Sequence, residues 1–220
     1  MPVYVISNQK LQLSTALSTL SLNECGKSYS CWAFPPNCDD RSCDGIVRWK
    51  RIGDSVLFEW QAKDNLGEVS EGRYSSIAIS NDEYMGDDTV LECVFSPNGV
   101  GRVQMSFNAA YSNLPLPIAS NRVLRNKQAV MRDGKMICSA NFEISEIAGL
   151  PLMEKKRVHD LNRKKYMIQY AKGLADRSTL TKKVHGTNNI NEFYPWSTNE
   201  AVRFCERCSD SRKIVTEMGQ

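Results

Sequence analysis

Between Gly45 and Glu143 apolar and polar side chains alternate in short runs, each closed by turn-forming residues. Ile46–Arg51 and Asp54–Trp60 predict two strands joined by a turn at Gly53-Asp54. The two-residue period places Val56, Phe58 and Trp60 on one face of the second strand. Gly99-Val100-Gly101 predicts another turn, followed by a strand whose Val103, Met105 and Phe107 share a face. Further runs predict strands over 74–80, 89–95, 135–143, 165–171, 180–184 and 201–204. No window of about 12 residues carries a helical stripe, although Asp160–Gly173 fits either period. Many short strands separated by turns predict an all-β, antiparallel β-sandwich. Residues 1–22 read as a mobile N-terminal tail and 209–220 as a C-terminal tail. Residues 23–44, with Pro35-Pro36, Asn37 and Asp39-Asp40, read as loop.

Composition narrows the class without changing this picture. The 220 residues are 41% hydrophobic and 24% charged, the balance of an ordinary globular domain. A net charge of +3 with mixed signs argues against a nucleic-acid partner. The densest basic stretch, 154–165, reads as a solvated loop, with His159 exposed in it. No run of about 18 apolar residues exists, so no membrane span is expected.

The eight cysteines change the picture more. Cys25, Cys31, Cys38 and Cys43 crowd the N-terminal loop, and Cys93, Cys138, Cys205 and Cys208 follow. An even count reads as a disulfide framework in an extracellular, cell-surface or secretory-lumen protein. Zinc is the competing reading, but only Cys205-Glu206-Arg207-Cys208 has knuckle spacing. Met1–Val5 lacks a basic region and 11–22 is only half apolar, a poor signal peptide. The expectation is therefore a fragment of a longer protein.

Two residues stand out chemically. Met85 lies in the acidic loop Asn81-Asp82-Glu83-Tyr84-Met85-Gly86-Asp87-Asp88, an awkward place for a core methionine. His185 ends the predicted strand Leu180–Val184 and precedes Gly186. A thioether and an imidazole are a standard axial pair for haem iron. Taken alone, each also fits a plain structural role. No nucleophile–base set and no Cys-x-x-Cys-His occur, so no catalytic residue is assigned and covalent haem attachment is not expected. Asp87 and Asp88 offer too few oxygens for calcium but can shape a docking surface for a basic partner.

The chain also resembles a known family. Glu24-Cys25-Gly26-Lys27-Ser28, Cys31, Cys38, Cys43-Asp44 and the run Ser80–Asp88 followed by Val90-Leu91-Glu92-Cys93 are similar to the DOMON domain of ferric-chelate reductases and their neuronal relative. Met136–Phe142, Tyr166–Gly173 and Leu180–His185 extend the resemblance across 23–208. It implies an immunoglobulin-like sandwich with a disulfide-rich N-terminal loop, a Cys93–Cys138 bridge and two local bridges among the four N-terminal cysteines. It further implies non-covalent haem b with Met85 and His185 as iron ligands. The expected role is electron transfer with a membrane b-type cytochrome or reductase, a module rather than a stand-alone catalyst. The same family includes accessory modules of membrane receptor complexes and domains that bind sugars or other small ligands.

Overall fold

The computed structural model describes residues 17–65, 70–110, 112–186, 193–204 and, for the backbone alone, 214–216. Cys205 and Cys208 lie outside the described residues. Among the described residues, twelve strands form two six-stranded sheets. The first sheet contains β1 (Ser30–Phe34), β2 (Gly45–Ile52), β3 (Ser55–Lys63), β8 (Leu124–Arg132), β9 (Lys135–Glu143) and β12 (Ile214–Thr216), in the order β12-β1-β2-β3-β9-β8. The second contains β4 (Gly72–Ser80), β5 (Asp88–Phe95), β6 (Gly101–Ala109), β7 (Ser112–Pro115), β10 (Met167–Ala175) and β11 (Trp196–Ser197), in the order β11-β10-β4-β5-β6-β7. All pairings are antiparallel except β1 with β12.

The inner faces follow from the alternation. Val56, Phe58 and Trp60 of β3 are fully buried, as are Leu91, Cys93 and Phe95 of β5. Phe58 meets Phe142 and Phe204 edge-on at 6.4 and 5.4 Å. Each such side chain contributes about 1.5–3 kcal/mol through burial. Cys93 in one sheet is bonded to Cys138 in the other, so a covalent link crosses the core. Trp60 sits opposite Cys138 in register and donates its indole N–H to Ser75 Oγ across the sandwich at 3.2 Å.

Several expectations are corrected. The 23–44 segment is not all loop: Ser30–Phe34 pairs with β2, its five residues all buried. The Cys25–Cys31 bridge ends within this strand, and the Cys38–Cys43 bridge follows it. Gly45 is required where β2 begins, because a Cβ there would fall 2.1 Å from the Phe34 ring. In the expected N-terminal tail, Leu17 and Leu20 are buried, and Leu20 N–H donates to Gln61 Oε1 at 2.9 Å. Residues 1–16 lie outside the described residues, as does most of 209–220, where Ile214–Thr216 pairs with β1. The basic stretch carries a short helix, α2 (Leu152–Lys155). The buried Glu154 carboxylate of α2 accepts from the N–H groups of Ile118 and Ala119 at the start of α1 (Pro117–Arg122). Leu180–Val184 is not a strand; a single bridge, Lys182 to Ala175, ties it to β10.

Candidate functional site

Met85 sits in the loop that joins β4 to β5. Polar contacts hold the loop on both sides of the thioether. Tyr84 N–H donates to Asp82 Oδ1 and Gly86 N–H to Asp88 Oδ2, each at 2.9 Å. From β10, the Gln169 side-chain amide donates to the carbonyls of Asp82 and Tyr84 at 3.2 and 2.8 Å. Gly86, at φ 138°, makes a bend that a side chain would resist. Met85 itself stays 38% exposed and Tyr84 70% exposed. A large apolar side chain on a pinned loop, without a core around it, is free to meet a ligand.

The two neighbouring aspartates differ. Asp87 is exposed, whereas Asp88 is fully buried and does not shape a docking surface as its sequence position implied. Asp88 Oδ2 accepts from Gly86 N–H and Asn108 Nδ2; Oδ1 has no partner within the described residues. Burial pushes this carboxyl above its ordinary range.

His185 follows β10 by way of a tight turn. Asp176 Oδ1 accepts from the N–H groups of Ser178 and Thr179 at 2.9 and 2.7 Å. Leu180 then packs on Tyr74, Val94 and Ala175, and Lys183 N–H donates to Leu174 O at 2.9 Å. The next described pairing with β10 is Trp196 to Tyr170, so His185 lies in the stretch between these two anchor points. His185 is half-buried, with Nδ1 2.9 Å from its neighbour's carbonyl, Gly186 O. A proton on Nδ1 donates to that oxygen and leaves the Nε2 lone pair for a metal, the arrangement of metal-ligating histidines.

Register brings the two segments to one face. Gln169, which holds the Met85 loop, pairs with Ala78 of β4; Ser76 of β4 pairs with Glu92 of β5. Glu92 in turn forms an ion pair with Lys182, three residues before His185. Paired residues share a face, and so do residues two apart. Gln169 and Glu92 therefore point from the same outer face of the second sheet, roughly 12 Å apart by strand spacing and rise. Small side chains, Ser76, Ala78 and Ala171, lie between them. Ser76 and Ala78 are themselves buried, each 6% exposed, so register sets the two segments on one face.

No family model and no solved structure matches the chain. It is 30% identical to ferric-chelate reductase 1 of Homo sapiens over 166 residues, 74% of this chain and 25% of that protein. Against the DOMON domain-containing protein FRRS1L of Homo sapiens it is 28% identical over 120 residues, 54% of this chain and 38% of the relative. The FRRS1L of Mus musculus is 33% identical over 90 residues, covering 40% and 28% of the two chains. The chain is a DOMON-type protein.

This DOMON chain spans about a quarter of the length of human ferric-chelate reductase 1. Its disulfides and its relatives fit an extracellular or secretory-type domain. Among the described residues no helix is long and apolar enough to cross a membrane. Two anchoring groups of the DOMON site escaped the sequence reading. Gln169 is, with Lys172, one of two polar side chains in β10. Glu92 is a lone carboxylate within Val90-Leu91-Glu92-Cys93-Val94, a strand buried on both faces. A polar group in such a run needs a partner, and that was the available signal.

His159 is corrected from exposed to half-buried. Its N–H donates to Thr89 Oγ1, whose hydroxyl donates to Arg157 O, so the contact at 2.7 Å runs from a protonated Nδ1 to Oγ1. Its ring stands edge-on to Tyr166 at 5.1 Å. Burial, with Lys164 adding to it, holds the imidazole down to about 4. The histidine beside the Met85 loop is thus committed to the fold.

Proposed function

We propose that this DOMON sandwich binds b-type haem without covalent attachment, with Met85 and His185 as axial ligands, and serves electron transfer with a membrane reductase. The observation that carries the reading is the anchoring of the Met85 loop and the His185 segment to one outer sheet face, with His185 Nδ1 at Gly186 O. Haem held by the Met85 thioether and the His185 imidazole would supply outer-sphere one-electron exchange, with the thioether favouring the ferrous state. The chain's own groups do the rest. Gln169 fixes the loop through two carbonyls, and Gly186 O orients the imidazole.

Asp82, Glu83 and Asp87, all exposed, surround Tyr84 and Met85. They give this loop an acidic rim suited to a basic docking surface on the reductase. Reversing Asp87 and Glu83 to lysine is expected to slow electron exchange with the partner several-fold at low salt and little at high salt; equal rates at both salts would remove the rim from the account. The binding test is a hemin titration of the purified chain followed by absorbance. The expected result is saturable uptake by wild type and weakened uptake by Met85→Ala and His185→Ala. A chain that stays colourless would favour an accessory role in a receptor complex or binding of another small ligand.

A further inference from the structure

Glu92 lies in the most distinctive run of the chain, yet neither the core nor the Met85 loop uses it. Its carboxylate is on the outer face of β5 and is 2% exposed. A carboxylate so placed is held only if its oxygens are satisfied. Gln104 Nε2 donates to Oε1 at 2.7 Å, and Ser106 Oγ donates to Oε2 at 2.7 Å. The remaining partner is Lys182 Nζ, on Oε2. The ammonium also lies 5.4 Å from the centre of the Tyr74 ring. Three groups from two elements, β6 and the 180–186 segment, thus converge on one buried carboxylate, and only Lys182 comes from outside the sheet.

The segment that Lys182 belongs to is hydrogen-bonded at its start, where Leu180 N–H donates to Asp176 O and Asp176 N–H donates to Thr181 O, each at 2.9 Å. It makes one bridge to β10, and between described residues its last backbone bond before His185 is Lys183 N–H to Leu174 O. The neighbouring pair Lys183–Glu71 is largely exposed and contributes little. Leu180 supplies the apolar contact.

We propose that the Glu92–Lys182 ion pair is the latch that holds the 180–186 segment on the outer sheet face and so sets where His185 stands. Both are positioning residues, acting through the backbone between Lys182 and His185. The part of this inference that concerns the imidazole rests on the haem reading; the latch itself does not.

The test is amide hydrogen exchange of the purified chain without hemin, for wild type, Glu92→Gln, Lys182→Met and Lys182→Arg, followed by hemin titration of each. Amides of 180–186 are expected to exchange at least about tenfold faster in Glu92→Gln and Lys182→Met, with β4, β5 and β6 unchanged. Lys182→Arg restores protection. Hemin affinity falls by roughly 10–100-fold where protection is lost, and the spectrum moves from six- toward five-coordinate iron. Unchanged exchange in Glu92→Gln and Lys182→Met overturns the latch. Lost protection with wild-type affinity and spectrum overturns its role in placing His185. A wild type that takes up no hemin overturns the haem reading, and the exchange result then decides the latch alone.

Discussion

Thr89 ties His159 to the start of β5, one residue from Asp88, so two titrating groups of opposite behaviour sit beside the Met85 loop. The imidazole of His159 is held down to about 4 from an ordinary 6.5, chiefly by burial. The unfolded chain then binds the extra proton between those values, so this contribution to stability is complete above about 6.5 and is lost as pH falls toward 4. His159→Asn is expected to flatten the decline in unfolding free energy across that window by roughly 2 kcal/mol, allowing for partial exposure. An identical decline in the variant would show that the imidazole is not what titrates. Asp88 has the opposite sign: its carboxyl is raised by burial, so its contribution is present at low pH and lost as pH rises. Asp88→Asn is expected to leave stability at pH 7 equal or slightly higher; a thermal scan showing a clear loss would mean the charge is favourably paired. Neither environment was legible in the sequence. A histidine within a basic run and an aspartate within an acidic one both read as surface, and their burial depends on contacts 70 residues away for His159 and 20 for Asp88.

Among the elements, hairpins were the easiest to read. Gly53 and the alternation of Val56, Phe58 and Trp60 located β2 and β3 closely, because turn chemistry and period agree there. β1 was missed because Ser30–Phe34 is apolar on both faces and lies between prolines, aspartates and bridged cysteines, so no alternation marks it. The opposite error, a strand over 180–184, arose because alternation also fits a segment lying across a sheet. Its Lys182 turns to a buried carboxylate rather than to solvent. Two element-level consequences can be measured. Cys93–Cys138 closes a 45-residue separation and links the sheets, so replacing both cysteines with alanine is expected to cost about 3–4 kcal/mol by chemical denaturation; a cost under about 1 kcal/mol would show that the core alone holds the sheets together. Glu154→Ala removes the acceptor for two N–H groups of α1. Its expected cost is about 1–2 kcal/mol, with faster exchange at Ile118 and Ala119.

For the molecule as a whole, the fold class was readable from the spacing of short strands, and the cysteine count agreed with it. What the sequence did not show was how Met85 and His185 relate. They are far apart in the chain, and only the order β10-β4-β5 within one sheet places Gln169 and Glu92, and through them both segments, on a common face. The resemblance to ferric-chelate reductase 1 and FRRS1L identifies the type of domain, while haem binding through Met85 and His185 is the proposal that the anchoring of their two segments supports. Iron-edge X-ray absorption of the hemin-loaded chain tests that claim most directly. One sulfur scatterer and an imidazole nitrogen are expected on the iron, with the sulfur lost in Met85→Ala and that imidazole lost in His185→Ala. Iron without a sulfur neighbour in the wild type, or a sulfur that survives Met85→Ala, would contradict it.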